Sequence, residues 1–253
     1  MARVSGYKKS HITGSRMKKR YKYAGKYKVS AFVAGKYASL RKSARRYARI
    51  PRSISTPFPR TRLVRHRYVE NFTFPAAGAA GFPTLYVFAA NSVFDPNVTG
   101  IGHQPLYHDE MAALYQYYTV VGSRIKVTFS QNPVDQQNYG IILSQDPSLA
   151  NNPSLLKEEY GSSVALIPSQ RNMPFVQTKN FSAKKIFKTN MAGLMSDDTQ
   201  RVQTGSNPGT KALYYYVVWR APIDGGVTLG TSIAQVEISY IVLWREPKDA
   251  VQS

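Results

Sequence analysis

Two segments of the chain change polarity residue by residue, and that two-residue period restricts what the chain can become. In LVRHRYVENFTF (63–74), Val64, His66, Tyr68, Glu70, Phe72 and Phe74 fall on one side and Arg65, Arg67 and Val69 on the other. Side chains of an extended strand point to opposite faces in turn, so the pattern predicts a strand with one face on a core. SIAQVEISYIVLWRE (232–246) repeats it, with Ile233, Val236, Ile238, Tyr240, Val242 and Trp244 as anchors. A third strand is predicted in YTVVGSRIKVTFSQ (118–131), where Val121, Ile125, Val127 and Phe129 are apolar and Gly122 marks a bend or bulge.

Shorter strands are predicted in PTLYVFAANSVF (83–94), YGIILSQD (139–146) and KALYYYVVWRAP (211–222), the last apolar on both faces. PFVQTKNFSAKKIFKT (174–189) reads as one bent strand or two. One helix is predicted in the body, YHDEMAALYQYY (107–118), with Asp109 and Glu110 in its first turn. The Pro/Ser/Asn-rich connection between Asp146 and Met173 holds one further turn, NPSLLKEEYG. Asn152 would cap it, Pro153 open it and Gly161 stop it. Strands do not alternate with helices, so a parallel sheet is not expected. The fold class is all-β: an antiparallel double sheet or barrel of about eight strands, with one or two short helices in its loops.

The charge is divided as sharply as the polarity. Residues 1–67 contain 21 Lys and Arg and no Asp or Glu, while residues 68–253 contain 13 against 14. The net charges are therefore +21 and −1, and the whole excess precedes the body. A basic arm on a neutral body binds polyanions by releasing their condensed counterions, which requires no fold. Residues 1–50 form this arm. Its first part is Lys, Tyr, Gly and Ser without a usable period, and KYASLRKSARRYAR (36–49) has the spacing of a short basic helix that stops before Pro51. Residues 51–62 are a Pro-rich linker, and 63–253 the β domain.

The candidate nucleic-acid-binding residues are the arm's cations and the rings among them: Lys8, Lys9, Arg16, Lys18, Lys19, Arg20, Tyr21, Lys22, Tyr23, Lys26, Tyr27, Lys28, Lys36, Arg41, Lys42, Arg45, Arg46 and Arg49. Cations meet phosphate. Tyrosine rings stack on bases for about 1–3 kcal/mol each without demanding a sequence, or pack on a neighbouring subunit.

Other chemistry finds little support. There is no cysteine, hence no disulfide and no thiolate ligand or nucleophile. No run of about 18 apolar residues exists to span a membrane. His103 and His108 share no helical face, so no metal site is expected. TGIGHQP lacks the third glycine of a dinucleotide loop. Glu158-Glu159 and Asp197-Asp198 are adjacent pairs that point apart, unlike an acid/base dyad. No catalytic residue, metal or cofactor is expected, and the chain is not read as an enzyme.

FDPNVTGIGHQPLYHDEMAALYQYYTVVGSRIKVTF (94–129) resembles capsid proteins of circular, Rep-encoding single-stranded DNA viruses, the circovirus-like group. They carry a similar strand end, a DP…TG.GHQP loop, a short helix and a long strand. KALYYYVVWRAPIDGG and QVEISYIVLWREPKD look like their last two strands. The arm departs from their Arg-dense arms by leaning on Lys and Tyr. The resemblance implies a jelly roll and an icosahedral shell of about sixty copies, with the arm on a single-stranded DNA genome. It further implies a nuclear targeting role for the basic run, and hence virion and host-nuclear locations. The implied partners are the chain itself, the genome, a nuclear import receptor and a cell-surface receptor. About sixty arms of +21 would supply roughly 1,260 positive charges, enough for about 1.3 kilobases at about one charge per nucleotide. The competing reading is a cellular nucleic-acid-binding β-domain with a basic tail. Such a protein would carry positive charge on its body as well.

Overall fold

The computed structural model describes residues 58–76, 81–130, 136–149, 152–167, 174–223 and 228–249. The arm over 1–50, its helix at 36–49 and linker residues 51–57 lie outside the described residues.

Two antiparallel sheets face each other. The first takes the order β1-β9-β3-β6, from β1 (Thr61–Phe74), β9 (Ser232–Pro247), β3 (Tyr115–Phe129) and β6 (Phe175–Ser182). The two-residue β7 (Val202–Gln203) pairs with Tyr117 and Tyr118 of β3. The second takes the order β2-β8-β4-β5, from β2 (Thr84–Ala89), β8 (Tyr215–Pro222), β4 (Gln137–Ser144) and β5 (Ser163–Ile167). First and last strands are neighbours, and the chain changes sheet at every step except β4 to β5 and β6 to β7. This is the jelly roll, two Greek keys folded on each other.

The alternation of β1 survives intact: His66, Tyr68, Phe72 and Phe74 are buried, while Arg65, Arg67 and Val69 are exposed. Between the sheets these rings meet Phe88, Ile125, Val127, Phe129, Tyr139, Tyr216, Val236, Ile238, Tyr240 and Trp244. Strand β8 is apolar on both faces because a second cluster lies on its far side. There Val217, Trp219 and Ala221 pack with Ile142 and with Leu156 of the short helix α2 (Pro153–Glu158). The cap of α2 is as expected, with Asn152 accepting from the Ser154 amide at 2.9 Å and Pro153 opening the helix. The pairing of β3 with β9 shifts between Val120 and Gly122, which places a bulge at Val121, one residue before the expected Gly122.

Several boundaries differ from expectation. Helix α1 spans His108–Leu114, and Tyr115 already begins β3, because Tyr115 and Tyr118 are drawn into the core as strand residues. Strand β1 begins at Thr61, so Thr61 and Arg62 of the expected linker already pair with Arg245 and Trp244. Ile233 is 59% exposed, and Ser232 and Ala234 point inward in its place, one residue out of the expected phase. The second half of 174–189 is helix α3 (Ala183–Ile186) rather than strand. Ala183, Ile186 and Phe187 reach the core at helical spacing there. Strand β5 lies inside the connection between Asp146 and Met173. Its Val164 and Leu166 point outward at a sheet edge, where no inward stripe betrays a strand. Helix α4 (Met191–Ser196) and a 3-10 turn (Asp198–Gln200) follow α3, beyond the one helix and one further turn expected. Strand β2 stops at Ala89 because side chains take over the pairing: Asn91 donates to the Ala212 carbonyl at 2.7 Å and accepts from the Tyr214 amide at 2.8 Å.

Gly140 of β4 has no room for a side chain. A Cβ there would stand 2.2–2.6 Å from the Trp219 indole. Gly140→Ala is expected to cost about 1–3 kcal/mol through overpacking, read as a lower urea midpoint of the chain with an unchanged slope.

Candidate nucleic-acid interface

All eighteen arm residues expected to meet nucleic acid, from Lys8 to Arg49, lie outside the described residues. Within the body, the outward face of sheet β1-β9-β3-β6 carries most of the cations of these strands. It divides into a covered half and an open half.

The covered half lies under residues 191–203. Arg245 is buried there without an ion pair among the described residues. It donates to the Met195 carbonyl at 2.5 Å and to the Thr119 hydroxyl at 2.9 Å, and that hydroxyl donates to the Gln200 carbonyl at 2.8 Å. Burial holds the Arg245 guanidinium below its ordinary pKa. Arg201 lies 3.9 Å from the Tyr117 ring centroid and bonds Glu246 at 2.9 Å. The cations of this half are spent on holding α4 and the 3-10 turn to the sheet. Asp197 likewise is occupied as a cap, accepting from the Thr199 amide at 2.9 Å. A polar cavity of about 310 Å³ beside β7 is lined by Gln116, Tyr117, Gln203, Thr204 and Lys248, a set without an acid/base pair.

The open half is set by register. Arg67, Ser239, Arg124 and Asn180 form one row across four strands, and Val69, Glu237, Lys126 and Thr178 form the next. Arg65 precedes them on β1, with Ile241 beside it. Arg65, Arg67, Arg124 and Lys126 are all exposed. Arg65 donates to the Ser239 hydroxyl at 3.2 Å, and Arg67 lies 3.1 Å from Glu237. Arg124 and Lys126 have neither a hydrogen bond nor an ion pair among the described residues.

The DP…TG.GHQP loop has a structural role at the rim. Asn97 is fully buried, donates to Glu70 at 2.9 Å and to the Tyr86 hydroxyl at 3.1 Å, and accepts from Thr99. The Tyr68 hydroxyl donates to the same Glu70 carboxylate. Gly100 turns the chain at φ 75°, and a Cβ on Gly102 would meet Asn97 at 2.5 Å and the Tyr68 hydroxyl at 2.7 Å. His103 stacks on Tyr68 with centroids 4.7 Å apart. His108 is buried against Trp244 and pairs with Asp109 at 3.1 Å. Among the described residues no three His, Asp or Glu gather as metal ligands. None of their helices is long and apolar enough to cross a membrane. Of the rings of KALYYYVVWRAP, Tyr216 and Trp219 are fully buried, and Tyr214 and Tyr215 are half-buried.

No protein-family model and no curated protein matches the chain. Among solved structures, the 60-mer BFDV capsid protein is similar at 12% identity and a TM-score of 0.43, over 78% of this chain and 100% of that one. The decameric form of the same capsid protein gives 13% and 0.42, over 74% and 100%. The semi-empty particle of giant freshwater prawn Macrobrachium rosenbergii nodavirus gives 10% and 0.45, over 78% and 100%. These structural neighbours are viral capsid proteins.

His66 joins the loop to the core and makes it pH-sensitive. Trp244 Nε1 donates to His66 Nε2 at 3.0 Å, so the imidazole is neutral there and its Nδ1–H donates to the Leu106 carbonyl at 3.2 Å. Burial lowers the His66 pKa, the Leu106 bond opposes this, and nearby His108 adds to the lowering. As pH falls below about 6.5, the unfolded chain takes up a proton that the folded chain resists. Stability contributed above that pH is therefore lost on acidification down to the folded pKa. Urea unfolding of the chain is expected to show this loss as pH falls below about 6.5, and His66→Gln is expected to flatten it.

Proposed function

We propose that the chain is a viral capsid protein. Its jelly-roll body builds the wall of a small icosahedral shell of about sixty copies, and its basic N-terminal segment packages a single-stranded DNA genome. The observation that carries this reading is the division of charge, +21 over residues 1–67 and −1 over the remainder. A near-neutral β body can pack against its own copies, while a polycation joined to one end binds a polyanion of any sequence. The same basic run serves as a nuclear targeting signal that brings the subunit to the genome. The chain is a structural protein and not an enzyme. A cellular nucleic-acid-binding domain would be expected to distribute its positive charge over the body too.

Negative-stain microscopy of the purified full chain is expected to show closed particles that contain nuclease-protected nucleic acid. Soluble monomers under every salt condition would overturn the shell. Removal of residues 1–50 is expected to abolish protection of nucleic acid while particles still form. Retained packaging by the shortened chain would overturn the role given to the arm.

A further inference from the structure

The open half of the outward sheet face holds four cations, Arg65, Arg67, Arg124 and Lys126, against one carboxylate, Glu237. Two of the four lack a partner among the described residues. In Arg245 and Arg201 the same sheet shows what its other cations do: they find carbonyls, a hydroxyl, a ring or an acid within reach. Arg124 and Lys126 stand on a strand paired on both sides, so their backbone positions are fixed. Arg67 and Arg124 share a row with one strand between them, about 10 Å apart at the backbone, and Lys126 follows Arg124 at about 6.8 Å. Ser239 stands between Arg67 and Arg124, and Asn180 and Thr178 end the two rows beyond Arg124 and Lys126. Such side chains bond to phosphate and sugar oxygens and position a strand without reading its sequence.

We propose that this face is a second nucleic-acid contact, a phosphodiester-binding surface on the wall itself. It holds the backbone of a single strand through Arg65, Arg67, Arg124 and Lys126. The proposal rests on the packaging reading above and gives the wall a share in it. Charge complementarity selects the occupant, because a surface of four cations and one acid matches a polyanion. The arm is joined in sequence to the strand bearing Arg65 and Arg67.

The test uses unassembled full-length chain and a long oligodeoxythymidylate. Lysines are acetylated with and without the oligonucleotide, and modified peptides are quantified by mass spectrometry. Lys126 is expected to be shielded along with the arm lysines. The salt dependence of binding is then measured for Arg65→Gln/Arg67→Gln and for Arg124→Gln/Lys126→Gln. Each pair is expected to reduce the slope of log K against log salt by about 1.4, at about 0.7 per phosphate contact on a single strand. The substituted side chains are exposed, and unchanged thermal unfolding confirms the fold of each variant. Shielded arm lysines with Lys126 still reactive and unchanged slopes would overturn the face and leave the packaging arm standing. Shielding of Lys126 on assembly without nucleic acid would overturn it in favour of a contact between copies. If the oligonucleotide shields no lysine, the packaging reading fails first and this proposal with it.

Discussion

Antiparallel pairing on both sides of β9 organises the molecule. Strand β1 pairs with it from Thr61–Arg245 to Phe74–Ser232, and β3 from Tyr115–Pro247 to Phe129–Ala234. A shift of one residue in either register would turn every inward side chain outward. Tyr68, Ile238 and Ile125 would then leave the core, and Arg67, Ser239 and Arg124 would enter it. The register that buries the aromatic core therefore also lays out the basic rows on the opposite face. The bulge at Val121 makes the two requirements compatible. It lets Tyr118 and Val120 face inward before it and Ser123 and Ile125 after it, although two residues, Val121 and Gly122, lie between Val120 and Ser123.

Buried polarity is handled by neutral partners more than by ion pairs. Arg220 is fully buried yet donates to the Thr84 hydroxyl at 3.1 Å, to the Pro75 carbonyl at 2.8 Å and to the Gly230 carbonyl. Its guanidinium carbon lies 5.4 Å from the Phe74 ring centroid, and burial lowers its pKa. Arg245 does the same at the other end of its sheet. Both tie loops to strands by main-chain carbonyls, which suits residues whose charge never titrates away in water. The Glu70–Asn97–Tyr86 group plays that part for the loop before α1.

The sheet layout was legible wherever one face was buried and the other wet. In β1 and most of β9 the period of two is almost unbroken, and the cap of α2 followed from Asn152-Pro153. The errors share a cause. In β5 the large apolar residues point to solvent, and at 183–187 a helical spacing is appended to a strand. In 115–118 the tyrosines suit either state, and only the core decides between them. Ile233 misled because an exposed isoleucine is indistinguishable by type from a buried one. The arm's cations were apparent from charge alone. The open basic face was not, because Arg124 and Lys126 are separated from Arg65 and Arg67 by about sixty residues of chain, and only the strand order brings them side by side.

Strand β1 lies at one end of its sheet, and no strand borders its far side among the described residues. A fourteen-residue strand with an unpaired border is a template onto which another chain can add, the first step towards fibrous aggregates. Arg62, Arg65 and Arg67 punctuate that border with like charge. Like charge along it repels indiscriminate strand addition. The arginines of β1 thereby act as gatekeepers against edge-to-edge aggregation.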